Sequence, residues 1–463
     1  MKLNEKISKY IITKSNKIKI NSKDVKKNDI FIALKGTKIH GNKFINDAFN
    51  AGAKYCITDK KYNQIYNKEK VLLLDNIFSF LRDLSIKKRS LFCGEVIGIT
   101  GSAGKTSLKE YLKFFLEKKY KVSASIKSYN NSLGVMLSIL NMNIHSNFAI
   151  FEIGTNNFFE IRDLTKLVKP SQIFITNILS THLENFKNKK NIAKEKSDIF
   201  NEKYNFNAEI LYFQMTSKDE KIINDIAKKQ KIKKIIKIGH SGLDCYIKNI
   251  KKNKSNYQIR LKVLSKYFSI VVDKYEENQI KNLIFVLAFF VINTIDTKII
   301  IKNKNRFPQV DGRGSIHKIA INGINIHLID QSYNANPETM IQNIKNFSEV
   351  KKKGFQKILI LGDMNELGLE KISFHHKVIE ETNEHLFDKV ILSGDLFKKA
   401  LSMFPKFKSK YIYRSSSQSI MSYLNKNIHK KAIIMAKCSN RTEVNKFVKL
   451  LKLKKEGKNC LNY

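Results

Sequence analysis

The sequence predicts a three-domain α/β protein, with a small N-terminal α/β domain and a parallel β-sheet in each of the two domains that follow. Short runs of β-branched and aromatic residues alternate with helical patterns, and the runs are apolar throughout instead of alternating with polar residues. Continuous apolar strands separated by helices are typical of parallel sheets covered on both faces. Because 463 residues are too many for one ordinary core, two to four domains are expected. A second set of parallel strands late in the chain favours three, over residues 1–90, 91–311 and 312–463.

The formal net charge of +44 is high enough to suggest nucleic-acid binding. Proteins of that class concentrate their charge on one face or tail, with aromatic residues interleaved. Here the lysines are spread through nearly every segment, together with many Asn and Ile residues. The pattern indicates compositional drift of the whole sequence, so we expect no nucleic-acid partner, although a basic protein still attracts anionic small molecules.

Cysteine usage and hydropathy point to a cytoplasmic protein without membrane insertion. No apolar run reaches eighteen residues, and the first ten residues are charged, without the apolar core of a signal peptide. The cysteines have no CxxC pair, so we expect neither a zinc site nor a disulfide framework. They are Cys56, Cys93, Cys245, Cys438 and Cys460.

Residues 1–90 predict a small α/β domain. The predicted elements are a strand over residues 29–36, an amphipathic helix over residues 41–53, and strands over residues 52–58 and 71–74. This segment contains no catalytic constellation, so a binding role fits it better.

The segment that organises the chain joins a buried strand to an amphipathic helix over residues 106–116. It reads Thr100, Gly101, Ser102, Ala103, Gly104, Lys105, Thr106 and Ser107. Such a turn presents free backbone N–H groups and a helix N-terminus to phosphate. Lys105 is placed for the β/γ-phosphates and Thr106 for Mg²⁺. Ile99 stands where the full motif has its first glycine, and the alternative is a glycine turn that binds nothing, but ATP or GTP binding is the working hypothesis.

Two further strands, over residues 148–154 and 172–177, belong to the same predicted sheet. Ligands of such sheets bind beyond the carboxyl ends of the strands, so Thr106, Glu152 and Asn177 should converge on one edge. At that edge Glu152 is interpreted as a Mg²⁺ ligand; the alternative is a buried carboxylate whose hydrogen bonds are satisfied within the protein. His182 follows the second strand, but a lone histidine is usually structural. Lys196 lies on a charged helical stretch that is typical of a solvated face.

From residue 245 onward, the sequence pattern predicts several strands and one buried helix. Strands are predicted over residues 245–250, 257–264, 268–272, 324–329, 358–361, 390–392 and 432–435, and an almost wholly apolar helix over residues 278–293. The strands after residue 314 indicate a second parallel sheet. Two polar loops follow strands, over residues 330–337 and 361–368. The sequence allows each of them either to contact a ligand or to be an ordinary structural loop.

Taken together, these motifs resemble the Mur ligases over almost the whole chain and in the same domain order. The shared motifs are residues 100–106, 152–154, 176–178, 182–184 and 193–198. The loops over residues 332–337 and 362–368 are most similar to family members that add D-alanyl-D-alanine to UDP-N-acetylmuramoyl-tripeptide. Departures from the family pattern include Ala103 for Asn, Gln331 for Asp, Cys438 for Gly, Phe159 for Gly, and Asn21-Ser22-Lys23 for Asp-Ser-Arg.

The resemblance implies a role for each matching position. ATP contacts are Thr100 to Ser107, Asn282, Arg313 and Asp330; metal ligands are Thr106, Glu152, His182 and Lys196; catalytic groups are Lys105, Lys196 and His182. Substrate contacts are Ser22, Lys23, Lys35, Gly36, Asn334, Asn336, Lys437 and Ser439. Lys196 matches a lysine that CO₂ carbamoylates, giving an anion that holds a second Mg²⁺.

The implied activity is ATP-dependent amide-bond formation through an acyl phosphate, the last cytoplasmic step in building the peptidoglycan precursor. The first domain would bind the UDP substrate, the central P-loop domain ATP, and the Rossmann-like C-terminal domain the D-alanyl-D-alanine amine, in a monomer. Two alternatives stay open: a sibling ligase that adds a single amino acid, and a basic nucleic-acid-dependent P-loop ATPase.

Overall fold

The computed structural model describes residues 2–61, 64–215, 218–273, 275–303, 310–403 and 410–455. Its strands form three sheets, of four, nine and six strands. Each sheet lies within one predicted domain, and the α/β class with largely parallel sheets is confirmed. The boundaries between the domains remain a prediction. Among the described helices, none combines the length and apolar character needed to cross a membrane.

The first sheet is wholly parallel, in the order β1-β2-β3-β4. Its segment contains β1 (Ile18–Lys19), β2 (Ile30–Ala33), β3 (Tyr55–Thr58) and β4 (Val71–Leu73), with α1 (Leu3–Thr13), α2 (Ile45–Asn50) and α3 (Ile77–Ser90). The helix predicted over residues 41–53 is shorter than expected, because a 3₁₀ turn occupies Gly41–Phe44 and Gly52 adopts φ +97° after the helix end. Helices α1 and α3 were not predicted.

The central sheet has the order β13-β12-β11-β10-β9-β8-β5-β7-β6. Its strands are β5 (Glu95–Thr100), β6 (Val122–Ala124), β7 (Phe148–Glu152), β8 (Gln172–Ile175), β9 (Ile210–Met215), β10 (Lys234–Gly239), β11 (Cys245–Lys252), β12 (Tyr257–Val263) and β13 (Lys266–Val272). Strand β5 pairs in parallel with β7 and β8, so the three carboxyl ends meet at one edge, as predicted. Strands β11 to β13 form an antiparallel extension.

Helices cover the central sheet. They are α4 (Lys105–Leu116), α5 (Ser132–Asn141), α6 (Glu160–Val168), α7 (Leu183–Phe186), α8 (Lys189–Ser197), α9 (Lys218–Ala227), α10 (Glu277–Ile292) and α11 (Lys298–Lys302). The apolar helix α10 is buried, as its composition predicted. It packs with α4 and the sheet in one apolar core.

Helices α1 and α3 share a core with the central segment. Ile7 and Ile11 of α1 and Leu81 of α3 lie in one apolar cluster with Val135 and Leu140 of α5. The buried Nζ of Lys88 donates hydrogen bonds to the carbonyl oxygens of Ile11, Lys14 and Leu140, at 2.8, 2.8 and 2.6 Å. Apolar contact and this buried cation therefore attach the first segment to the second.

The third sheet has the order β14-β15-β19-β16-β17-β18. It contains β14 (Ser315–Ile321), β15 (Ile324–Gln331), β16 (Gln356–Gly362), β17 (Lys389–Ser393), β18 (Ile412–Tyr413) and β19 (Ala432–Lys437), with α12 (Pro337–Ser348), α13 (Lys371–Asn383), α14 (Asp395–Met403), α15 (Ser417–Asn427) and α16 (Glu443–Lys455). Strand β14 pairs antiparallel with β15, and the other pairs are parallel. Strand β14 was not predicted, because this edge strand alternates buried and exposed residues instead of forming a continuous apolar run.

Candidate active site

A cavity of about 640 Å³ lies where the carboxyl ends of β5, β7 and β8 face the third segment. Residues of the turn after β5, the ends of β7 and β8, and helix α10 line one side. The opposite side consists of the residues before β14, the loop after β15, the start of α12 and the end of β19. The site predicted at this sheet edge therefore lies between the central and C-terminal segments.

The segment over residues 100–107, which we call the phosphate turn, joins β5 to α4 and is fixed against the end of β8. Gly101 has φ +139°, and a Cβ atom there would collide with the Thr176 hydroxyl group. The backbone N–H groups of Ser102 and Ala103 donate to the carbonyl and side-chain oxygens of Asn177, at 3.0 and 2.9 Å. Gly104 precedes α4 with φ +83°, and among the described residues no side chain caps this helix. The first-turn amides of α4 therefore suit an anionic ligand.

Glu152 is a fully buried carboxylate at the end of β7. Thr106 Oγ1 donates to its Oε2 at 2.7 Å, and Asn130 Nδ2 donates to its Oε1 at 2.8 Å. The Ser128 hydroxyl lies 3.2 Å from Thr106 Oγ1. Within the described residues this carboxylate has no ion pair, and the surrounding oxygen donors are those a hard divalent cation prefers. The residues present therefore fit Mg²⁺.

Two lysines, Lys105 and Lys196, interact electrostatically near this carboxylate. Lys105 Nζ donates to the carbonyl oxygen of Gly101 at 2.6 Å, and burial lowers the pKa of Lys105 to about 8. Lys196, on α8, is 2% exposed, and the described residues offer its Nζ neither a hydrogen bond nor an ion pair. Burial, reinforced by the Lys105 cation, holds the pKa of Lys196 well below its ordinary value. Its surroundings therefore shift Lys196 toward the neutral amine relative to an exposed lysine, which nothing in the sequence around it indicated.

Glu195, the residue before Lys196, fixes the loop after β7 through hydrogen bonds. The buried Glu195 carboxylate accepts hydrogen bonds from the backbone N–H groups of Phe159 and Ile161, at 2.8 and 2.9 Å. Phe159 adopts φ +72°, the left-handed region in which glycine is favoured. The hydrogen bond that the Phe159 N–H donates to Glu195 supports this strained backbone.

His182 lines the cavity and begins the short helix α7 with φ +53°. Its Nδ1 contacts the carboxylate of Glu366, which lies in the loop after β16. The hydrogen bond from His182 is the first cause of the lowered pKa of Glu366. Sequence reasoning treated the Glu366 loop only as a possible ligand contact and missed this pairing.

The C-terminal side of the cavity is rich in polar groups. The guanidinium carbon of Arg313 lies 4.1 Å from the centre of the Tyr333 ring, and its buried Nε has no hydrogen-bond partner among the described residues. Lys437 Nζ donates to the carbonyl oxygen of Asn334 at 3.3 Å, and burial lowers the pKa of Lys437 to about 8. Asn336 caps α12 by accepting from the N–H of Thr339 at 2.9 Å.

Asp330 does not line the cavity with the other predicted nucleotide contacts. Its buried carboxylate accepts from the N–H and hydroxyl of Ser332, at 2.9 and 2.7 Å, and pairs with Lys452 of α16. Gln331, the next residue, lines the cavity instead. The position of Asp330 therefore does not support its predicted nucleotide role, because the strand directs adjacent side chains to opposite faces.

The structure brings together many, but not all, of the predicted site residues. Those lining the cavity are Ser102, Ala103, Gly104, Lys105, Ser107, Glu152, His182, Asn282, Arg313, Asn334, Asn336 and Lys437. Thr106 lies behind them against Glu152, and the Ser439 hydroxyl accepts from the N–H of Asn365 at 3.0 Å. Thr100, Gly101 and Lys196 are outside the lining. Ser22, Lys23, Lys35 and Gly36 lie in the first segment, away from this cavity, and their substrate role stays a prediction.

Comparison with known proteins identifies the family. Residues 14–88 match the description "Mur ligase family, catalytic domain", residues 99–290 "Mur ligase middle domain", and residues 313–440 "Mur ligase, glutamate ligase domain". A protein of Rickettsia prowazekii named UDP-N-acetylmuramoyl-tripeptide--D-alanyl-D-alanine ligase is 31% identical over 94% of each chain.

Solved structures share the fold. MurF from Acinetobacter baumannii superposes with a TM-score of 0.76 at 22% identity, covering 94% of this chain and 92% of that one. MurF ligase from Thermotoga maritima, in complex with ADP, gives a TM-score of 0.75 at 23% identity, covering 96% and 99%. With the matched domains and the arrangement at the phosphate turn, these likenesses lead to one conclusion: the chain belongs to the Mur ligase family of ATP-dependent ligases.

Proposed function

We propose that this protein joins D-alanyl-D-alanine to UDP-N-acetylmuramoyl-tripeptide at the expense of ATP. The observation that carries the proposal is the buried Glu152 carboxylate, which accepts from Thr106 directly beside the phosphate turn. The name of the Rickettsia prowazekii relative supports the choice of substrates. In the reaction, a tripeptide carboxylate oxygen attacks the γ-phosphorus of ATP, ADP leaves, and the dipeptide amine then displaces phosphate from the acyl phosphate.

The central residues position and stabilise the transferring phosphoryl group. Lys105 and the first-turn amides of α4 would bind the phosphate oxygens, which carry the charge of the transition state. Thr106, Glu152 and His182 would hold Mg²⁺, and bound Mg²⁺ would neutralise part of that charge.

Lys196 is proposed to react with CO₂. Its neutral amine nitrogen would attack the carbon of CO₂ and lose one proton to water, giving a carbamate with one negative charge. That anion would complete the oxygen ligands of a second Mg²⁺ and would interact favourably with the Lys105 cation, whose charge disfavours a cation at Lys196. The lowered pKa of Lys196 supports this step, because only the neutral amine is a nucleophile.

The C-terminal segment is proposed to close over the nucleotide and to present the amine. Arg313 would bind phosphate, Gln331 and Asn282 would contact the nucleoside, and Asn334, Asn336 and Lys437 would line the amine site beside it. Ser22, Lys23, Lys35 and Gly36 would bind the UDP group in the first segment, and Ser439 would support the amine site. Closure aligns the reactants and excludes water. We further propose that the protein is cytoplasmic and acts as a monomer, without a nucleic-acid partner.

The proposal is tested by phosphate release from ATP in the presence of Mg²⁺. Release should require both UDP-N-acetylmuramoyl-tripeptide and D-alanyl-D-alanine. Lys196→Ala should abolish most of it, whereas Lys194→Ala, an exposed lysine on the same helix, should not. Release supported by a single amino acid in place of the dipeptide would indicate a sibling ligase, and stimulation by DNA alone would overturn the ligase assignment.

A further inference from the structure

The segment 180–189, which we call the docking loop, is bound by two carboxylates of the C-terminal segment. Glu338, in the first turn of α12, accepts from the N–H and the hydroxyl of Ser180, at 3.1 and 2.8 Å. The same carboxylate pairs with Lys189 Nζ at 3.0 Å. Both ends of the docking loop are therefore held by one side chain from the opposite side of the cavity.

Glu366 binds the middle of the docking loop. Its carboxylate pairs with His182 Nδ1, and its carbonyl oxygen accepts from the N–H of Glu184 at 3.4 Å. Gly368 packs against the backbone of Leu183 and Glu184, at 3.4 to 3.5 Å from where its Cβ would be. The loop after β16 thus follows the docking loop closely over several residues.

The central segment anchors a different part of the docking loop. Phe186 is buried in the central core, and Asn185 Nδ2 donates to the carbonyl oxygen of Asn156 at 2.8 Å. In the described part of the chain, the only polar partner of the His182 side chain is Glu366. The orientation of the His182 ring is consequently set by a residue of the C-terminal segment.

Stability alone does not account for the Glu366 contact. The Glu366 side chain is 52% exposed, and ion pairs with that much solvent contact contribute little to folding. His182 and Glu366 both adopt left-handed backbone conformations, at φ +53° and +63°, which are disfavoured for residues with a side chain. A strained and weakly stabilising contact at a cavity edge is better explained by the orientation that it imposes.

We propose that Glu366 is a positioning residue that orients His182 for metal binding, and that Glu338 fixes the docking loop for the same purpose. The contact at Nδ1 leaves Nε2 for the cation, and a carboxylate at the other nitrogen fixes the orientation of the ring. The cation site is then complete only while the C-terminal segment is docked. This inference rests on the proposed function, since it takes His182 as a ligand beside Glu152.

Binding of Mn²⁺, followed by electron paramagnetic resonance with a non-hydrolysable ATP analogue and bicarbonate, tests the inference without turnover. Glu366→Gln keeps the size of the side chain and removes its charge, and it should weaken Mn²⁺ binding by about tenfold or more. Glu370→Gln, an exposed position just beyond the same loop, should bind as the wild type does. Hydrogen exchange of the docking-loop amides should be faster in both Glu338→Gln and Glu366→Gln.

A third variant separates failure of the inference from failure of the proposed function. Glu152→Gln should lose Mn²⁺ binding if the proposed metal site is correct. If Glu152→Gln loses binding while Glu366→Gln keeps the wild-type affinity and exchange rates, the positioning role is overturned and the ligase proposal stands. If the wild type does not bind Mn²⁺, or Glu152→Gln binds it normally, the metal site and the inference fail together.

Discussion

The hydroxyl group of Thr106 donates a hydrogen bond of 2.7 Å to Oε2 of Glu152, which joins the phosphate turn to the end of the neighbouring strand β7. Thr106→Val keeps the shape but leaves a buried carboxylate oxygen without this donor. We expect the apparent affinity for Mg²⁺ in phosphate release to fall about tenfold or more. Urea unfolding should show a loss of about 1–3 kcal/mol. Thr106→Ser, which keeps the hydroxyl, should retain both properties; equal behaviour of the two variants would contradict the assignment.

Arg313 should contribute to nucleotide affinity. Its guanidinium lies over Tyr333 at the cavity, and the buried Nε has no partner among the described residues. Loss of a charge-assisted hydrogen bond costs about 1.5–3 kcal/mol, so Arg313→Met should weaken ADP binding about 10- to 100-fold in calorimetry. Arg414→Met is the matched control, because Arg414 lies over the Tyr423 ring at 4.5 Å, outside the cavity lining. Similar ADP affinity in both variants would rule out a nucleotide contact.

The buried Lys437 should make stability depend on alkaline pH. Its pKa in the folded protein is about 8, against an ordinary value of 10.5, because burial disfavours the charged form. The folded state therefore binds fewer protons than the unfolded state between these values, and the free energy of unfolding rises with pH through that window. Relative to Lys437→Met, the wild type should gain about 2 kcal/mol between about pH 7 and pH 10.

The measurement for Lys437 is urea unfolding of both proteins across that range. Other lysines with lowered pKa values, including Lys88 and Lys105, are present in both proteins and cancel in the difference. Lys430→Met, at an exposed position, should follow the wild type at every pH. A difference between wild type and Lys437→Met that does not change with pH would show that the residue is charged in both states.

Lys452 should stabilise the C-terminal segment. It joins α16 to Asp330 at the end of β15 and to Asp311 just before β14, and Asp330 is 1% exposed. Lys452→Met would leave a buried carboxylate with only its hydrogen bonds from Ser332, at a cost of about 3 kcal/mol in unfolding free energy. Lys449→Met, an exposed lysine on the same helix, should change it by less than about 0.5 kcal/mol. Equal stability of the two variants would contradict this role.

The sequence predicted the fold class and the edge of the central sheet that forms the site. Continuous apolar strands such as β5, β7 and β8 carry their signal locally, and parallel pairing then brings Thr106, Glu152 and Asn177 together. The phosphate turn was recognisable because its glycines satisfy a backbone requirement: Gly101 and Gly104 both have positive φ. These features depend on residues close together in the chain.

Contacts between distant segments could not be predicted in this way. The pairing of His182 with Glu366 depends on how two domains meet, which no local pattern encodes. The burial of Lys196 likewise depends on tertiary packing, since its helix has the composition of a solvated one. That Gln331 lines the cavity while Asp330 does not depends on which face of the strand meets the cavity, and a shift of one residue reverses that face.

The core shared by α1, α3 and α5 has a practical consequence for truncated proteins. A fragment starting at residue 91 would expose the α5 face formed by Val135 and Leu140, and would leave the Leu140 carbonyl without the Lys88 ammonium group. Exposed apolar surface of this kind promotes aggregation. Expression of the central segment for crystallisation or inhibitor screening should therefore retain the N-terminal helices, even where the first sheet itself is of no interest.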